Sequence, residues 1–260
     1  MNKMSEAIEQ GFVECSIDEN GIGTIEFGHP MSNSLPGKIL QKLADTITEL
    51  GNNTAVKVIV LKSSGEKAFC AGASFDELIS IKDLATGLEF FSGFANVINA
   101  CRKTPKFIIG RVQGKAVGGG VGVASAVDYC LATIKADVKL SELAVGIGPF
   151  VVGPAVERKI GLSAMSELAI NATEWRSADW AKRKGLYTDV FETEGEMDAE
   201  IKRLAERLAA SNPEAMSMLK KVFWQGTEHW DELLVERAGM SGKLVLSDFT
   251  VNAINAFKKN

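Results

Sequence analysis

Two segments rich in glycine and alanine stand where a chain can gather backbone N–H donors. The first runs Lys67-Ala-Phe-Cys-Ala-Gly-Ala-Ser-Phe75 and the second Gly114-Lys-Ala-Val-Gly-Gly-Gly-Val-Gly122. Each follows an apolar run that reads as a strand, and each leads toward a helix. Small side chains let backbone approach a ligand closely. Unpaired N–H groups at a helix start favour negative charge there. Two such groups converging from separate loops would stabilise an oxyanion that develops during a reaction. The run Gly118-Gly119-Gly120 fits a plain turn or a tight helix–strand contact equally well. A dinucleotide fingerprint fits less well, because Gly120-Val-Gly122-Val-Ala-Ser lacks the third Gly or Ala. Lys115 is followed by alanine, so there is no Walker sequence.

The remaining side chains narrow the chemistry further. His29 and His229 are the only histidines, too few for a multi-histidine metal site or a Ser-His-Asp nucleophile. His29 precedes Pro30 in a turn and His229 sits beside Trp230, so both read as structural. Cys15, Cys70, Cys101 and Cys130 are scattered with no C-x-x-C pair, as expected of reduced thiols. The 260 residues carry 29 Lys+Arg against 33 Asp+Glu, a formal charge of −4. That balance speaks against nucleic acid as a partner. No run reaches the roughly 18 apolar residues of a membrane span, and Glu6 and Glu9 interrupt any signal-peptide pattern near the start. The expectation is a soluble cytoplasmic protein with neither a nucleic-acid nor a membrane partner and no metal.

These residues must be positioned by a scaffold that reads as α/β. Phe12–Ile17 and Gly23–Phe27 alternate in polarity around Asp18-Glu-Asn-Gly21, a hairpin signal. Leu35–Leu50 repeats apolar residues with helical spacing. Val56–Leu61 and Phe107–Val112 read as strands buried on both faces, with a helix from about Thr86 to Arg102 between them. Val127–Thr133, Val138–Leu140 and Thr188–Phe191 are shorter strand candidates. Beyond Pro149 the chain turns mostly helical: Ala199–Ala209, a helix opened by Asn212 and Pro213, Asp231–Leu246 and Asp248–Phe257. The patterning divides the chain into an α/β core over 1–190 and a helical region over 191–260.

At this point the chain resembles a family. Phe69-Cys-Ala-Gly-Ala-Ser-Phe-Asp-Glu-Leu78, Val112-Gln-Gly-Lys-Ala-Val-Gly-Gly-Gly-Val-Gly-Val123 and Leu140-Ser-Glu-Leu-Ala-Val-Gly146 are similar, in order and spacing, to the crotonase (enoyl-CoA hydratase/isomerase) family. The resemblance covers nearly the whole chain. It implies a spiral of repeated ββα units, a C-terminal helical region that builds a homotrimer or hexamer, and an acyl-CoA substrate whose CoA is the only cofactor-like group. It places the oxyanion donors at the N–H groups of Ala73 and Gly119. Ala71 falls beside the adenine of CoA. Further substrate contacts fall on Ser74, Phe75, Val117, Gly118, Ser141, Val145 and Gly146. Phe257 and Lys258 fall where a neighbouring subunit's CoA is reached. Lys62, Lys67 and Lys115 are candidates for the CoA phosphates.

Two-glutamate hydratases of this family hold a water between two carboxylates 20 residues apart. Here the second position is Glu142 and the first is Gly122, so one acid is missing. Chemistry at a thioester α-carbon needs one positioned base and a donor pair for the enolate oxygen, which Glu142, Ala73 and Gly119 supply. The flanking Leu140, Leu143 and Val145 would raise the pKa of Glu142 toward neutrality. Glu142 equally fits a carboxylate at a helix start. The lost acid together with Pro149-Phe-Val-Val-Gly-Pro154 is similar to bacterial 3-methylglutaconyl-CoA hydratases. The resemblance therefore implies a hydratase. A Δ3-Δ2-enoyl-CoA isomerase and an acyl-CoA-binding protein without turnover remain as alternatives.

Overall fold

The computed structural model describes residues 10–257. Its main sheet has six strands in the order β1-β2-β3-β5-β7-β9. β1 (Phe12–Ile17) and β2 (Ile22–Gly28) form the antiparallel hairpin that the sequence predicts. The Asp18 carboxylate closes its turn by accepting the N–H groups of Asn20 and Ile22. β3 (Val58–Ser63), β5 (Ile108–Val112), β7 (Tyr129–Thr133) and β9 (Asp189–Phe191) then add in parallel. Side chains alternate across a strand, so β3 feeds two cores. Ile59 and Leu61 join the larger core under α1 (Gly37–Asn52) and α3 (Leu84–Lys103). Val58 and Val60 pack with Ile109 and Leu131 against Met197, Ile201 and Ala205 of α7 (Glu194–Ala209).

A second, three-stranded parallel sheet positions the site. Its strands are β4 (Ala68–Cys70), β6 (Lys115–Val117) and β8 (Val138–Lys139). Their C-terminal ends run into Ala71-Gly72-Ala73, Gly118-Gly119 and Ser141-Glu142. After these come α2 (Phe75–Leu78), α4 (Gly119–Ala126) and a 3₁₀ turn (Glu142–Val145). β4 and β6 escape a periodicity argument because three residues contain no full repeat to count.

Caps set several helix starts away from the apolar pattern. α1 begins at Gly37, because Leu35 is drawn off to bridge Ala73 in a strand-like pair. α3 begins at Leu84, where Asp83 and Thr86 form a reciprocal capping box. α7 begins at Glu194 under the equivalent Thr193–Glu196 box. Asn212 caps α8 (Pro213–Phe223) as expected, accepting the N–H groups of Glu214 and Ala215. α5 (Gly153–Ile170), α6 (Ala178–Lys184), α9 (Trp230–Leu244) and α10 (Asp248–Phe257) complete the chain, and α5 is interrupted at Gly161.

The C-terminal helices are anchored into the α/β part. Lys220 of α8, almost wholly buried, places Nζ 2.5 Å from Asp128 Oδ2, and Trp224 donates its indole N–H to Asp128 Oδ1. α9 lies against α3 so closely that a β-carbon on Gly87 would stand 2.9 Å from Gly242 Cα. At the opposite ends of these two helices Arg102 is paired with Asp231 at 2.7 Å. Among the described residues no helix is long and apolar enough to cross a membrane.

Candidate active site

Backbone hydrogen bonds hold the first loop on both sides of Ala73. Ala71 N–H donates to Ser32 O, Leu35 N–H to Gly72 O, and Ser74 N–H to Leu35 O. Ala73 N–H itself meets no acceptor among the described residues. In the second loop Gly118 N–H donates to Lys139 O at 2.9 Å. Gly118 takes φ 53° and ψ −116°, a conformation that favours glycine. This bend leaves the N–H of Gly119, the first residue of α4, without an acceptor as well. The loops touch: a β-carbon on Gly72 would lie 3.1 Å from Val117 O and 3.6 Å from Gly119 N. Two unsatisfied donors in touching loops are the kind of pair that holding one oxyanion requires.

Glu142 completes the group. A β-carbon on Gly118 would stand 3.0 Å from Glu142 Oε1, so the carboxyl lies against the second donor loop. Its Oε2 is buried and has no hydrogen-bond partner. Burial pushes the Glu142 pKa up to about 7, against a small opposing effect of its own backbone N–H. The donors and this carboxyl share a cavity of about 370 Å³, in whose wall Glu142 is the sole titratable residue among those described. Phe75, Phe90, Phe91, Phe94 and Phe150 make much of the rest. A wider acid-rich groove of about 1090 Å³ crosses the far face of the main sheet, open to solvent and without either donor loop, so the chemistry belongs to the smaller cavity.

Of the residues singled out in the sequence, Ala71, Ala73, Phe75, Gly118, Gly119, Ser141, Glu142 and Val145 reach the cavity wall. Ser74, Val117 and Gly146 do not. The Ser74 hydroxyl is turned inward to cap α2 by accepting Glu77 N–H. Val117 is held in β6 by pairing with Lys139. Gly146 ends the 3₁₀ turn at φ 82°, packed beneath Phe249 and Thr250 of α10. Phe257 is the last residue of α10, and Lys258 lies outside the described residues. Lys62 is paired with Glu26, Lys115 sits over the Trp175 ring, and neither they nor Lys67 border the cavity.

The position of the absent acid is filled. A β-carbon on Gly122 would stand 2.7 Å from Val152 Cβ, and Val152 itself lines the cavity. Sequence reasoning missed Ser241 and the three phenylalanines of α3, and it quoted Val152 within Pro149–Pro154 without placing it over Gly122. The phenylalanines, at 90, 91 and 94, do share a helical face that could have flagged them. Ser241 carries no local signal.

The enoyl-CoA hydratase/isomerase family profile matches residues 18–245. The chain belongs to that family. Among curated relatives, a mitochondrial methylglutaconyl-CoA hydratase of Mus musculus is 31% identical over 200 residues, covering 75% of this chain and 63% of that protein. The match thus spans less than two thirds of that relative's length. A short-chain-enoyl-CoA hydratase of Clostridium acetobutylicum is 26% identical over 242 residues, covering 92% of each. The solved enoyl-CoA hydratase of Bacillus halodurans superposes with a TM-score of 0.86 over 94% of this chain and 99% of its own, at 20% identity, and so shares the family's fold.

Proposed function

We propose that this family member adds water across the double bond of an enoyl-CoA thioester, with Glu142 as its single acid–base group. The observation that carries this reading is a lone buried carboxyl, near-neutral in pKa, sharing a cavity with two unpaired N–H donors. The thioester oxygen sits between the N–H groups of Ala73 and Gly119. The Glu142 carboxylate takes a proton from water as the water oxygen bonds to C3. The π electrons move through C2 onto the thioester oxygen, where the donors hold the enolate. Glu142 then returns its proton to C2, and the carboxylate is restored. A group near pKa 7 suits both halves, since it is about half ionised at neutral pH. The scheme uses no cofactor beyond the CoA of the substrate.

Similarity to hydratases, one of them named for methylglutaconyl-CoA, supports water addition and suggests that acyl group. A homotrimer or hexamer is part of the same reading. With one carboxyl serving both steps, hydroxyl and proton arrive on the same face. Crotonyl-CoA and 3-methylglutaconyl-CoA incubated in ²H₂O are expected to give syn products, and Glu142→Gln to lower the rate by about 10²–10⁴. Anti addition, or full activity of Glu142→Gln, would overturn the scheme.

A second reading, double-bond migration from a 3-enoyl-CoA, is favoured by Val152 standing over Gly122 and excluding a second water-holding acid. It predicts conversion of a 3-enoyl-CoA with no oxygen taken up from H₂¹⁸O. Binding of CoA esters with turnover of none would leave the acyl-CoA-binding alternative.

A further inference from the structure

Phe90, Phe91 and Phe94 share one side of α3, and all three border the cavity. The rings of Phe90 and Phe91 lie 5.0 Å apart at 89°, so together they make a corner. Phe94 closes on the donor loop, where its ring fills the space that a β-carbon on Gly119 would need. A row of rings therefore begins at one of the two oxyanion donors. The proton transfers proposed for Glu142 make no use of it.

Exposure gives the cavity a direction. Met31 and Phe75 are 58% and 38% exposed and form its rim, whereas Phe90 and Phe94 are each 5% exposed and Ser241 1%. The large polar CoA stays at the rim, so an acyl chain points inward. α3 measures how far such a chain can go. Phe94 lies against Gly119, and at the other end a β-carbon on Gly87 would stand 2.9 Å from Gly242, the neighbour of Ser241. Gly87 precedes Phe94 by seven residues, about 10 Å along the helix axis. A four-carbon acyl chain reaches about 4 Å beyond its thioester carbon, three C–C bonds in a zigzag. It leaves the inner rings uncovered. An apolar cavity of about 150 Å³ holds a benzene ring, and the cavity of about 370 Å³ has room for a ring together with the enoyl thioester that carries it.

We propose that this inner end is a ring-binding pocket, and that the acyl chain of the substrate carries an uncharged aromatic ring on C3, as in a 3-aryl-2-enoyl-CoA. This rests on the reading of the cavity as an acyl-CoA site. A planar ring meets the Phe90–Phe91 corner edge to face or offset-stacked, contacts that a straight alkyl chain does not make. Conjugated with the enoyl double bond, the ring has few rotors to lose on binding, whereas an alkyl chain gives up several. A chain ending in a carboxylate fares worst. Among the described wall residues Glu142 alone can carry a charge, and a second anion in the same apolar cavity meets repulsion and no cation. Of the esters named for the hydration test, crotonyl-CoA leaves this pocket empty and 3-methylglutaconyl-CoA brings a charge into it, so both fit less well than a ring.

Binding of saturated esters tests the pocket without turnover, which keeps its outcome separate from that of the hydration assay. 3-Phenylpropanoyl-CoA, hexanoyl-CoA and glutaryl-CoA are titrated into the 260-residue protein by calorimetry. The phenyl ester is expected to bind about fivefold or more tightly than hexanoyl-CoA. Glutaryl-CoA is expected to bind about tenfold or more weakly than hexanoyl-CoA. Phe90→Leu keeps the wall apolar but removes a ring, and should shrink the phenyl-over-hexanoyl ratio to about twofold or less. A wild type that binds hexanoyl-CoA as tightly as the phenyl ester, or glutaryl-CoA as tightly as hexanoyl-CoA, would overturn the proposal. So would a ratio unchanged in Phe90→Leu. If Phe90→Leu fails to fold by circular dichroism, Phe91→Leu, at the half-buried partner ring, is read by the same criteria. Failure of all three esters to bind would instead overturn the acyl-CoA reading itself.

Discussion

Glu142 keeps its proton to a higher pH than an exposed glutamate because one oxygen is buried with no donor to stabilise the charge. The consequence reaches stability as well as chemistry. Between the ordinary value of 4.5 and about 7, the unfolded chain loses this proton while the folded chain retains it. Folding is therefore favoured below that window, and the advantage disappears as pH rises through it. The penalty at pH 8 is on the order of 3 kcal/mol from the size of the shift. Glu142→Gln has no proton to lose, so urea titrations should show it gaining on wild type between pH 5 and pH 8. A stability difference independent of pH would mean the carboxyl is solvated. The chain thus holds a residue that costs stability at neutral pH, as expected of a group retained for the proposed reaction.

At the scale of elements, three short parallel strands do the positioning. β4, β6 and β8 deliver Ala73, Gly119 and Glu142 to one cavity although these residues lie up to 69 positions apart in the chain. The first loop is braced further by Glu77 of α2, whose Oε2 accepts Gly37 N–H at 2.7 Å and so ties the loop to the start of α1. The α4–α5 contact closes the other side, where Val152 lies on Gly122. Gly122→Ala should overpack this contact and cost about 1–3 kcal/mol in chemical denaturation. Adding Val152→Gly should return about 1 kcal/mol or more through coupling of the two sites. Strict additivity in that double-mutant cycle would show that Val152 does not occupy the space of a side chain at 122.

The whole molecule depends on the C-terminal helices being docked, since α9 supplies Ser241 to the cavity. Their anchor is the buried Lys220–Asp128 pair, reinforced by Trp224. Lys220→Met leaves the Asp128 carboxylate buried with its cation gone, and should cost about 3–5 kcal/mol. Lys220→Met with Asp128→Asn should be less damaging than Lys220→Met alone, because no uncompensated charge remains. Thermal melts of the single and double variants check this, and equal losses would reduce the pair to a surface-like contact.

The sequence by itself determined the α/β class, the order of the long strands, the two donor loops and the family they resemble. Those features are written locally: β-branched runs, an Asn-Gly turn, and glycines at Gly118 and Gly119 that backbone geometry and close approach require. It also showed that an acid is absent at 122. Only the tertiary structure decided what stands there instead. Val152 comes from 30 residues downstream, and no periodicity links it to Gly122. The same holds for Ser241 and the phenylalanine wall, which border the cavity because α9 packs on α3. It also left Ser74, Val117 and Gly146 off the cavity wall, since a cap, a strand pair and a covered turn engage them. A motif states which residue types are available, and packing decides which of them face the ligand.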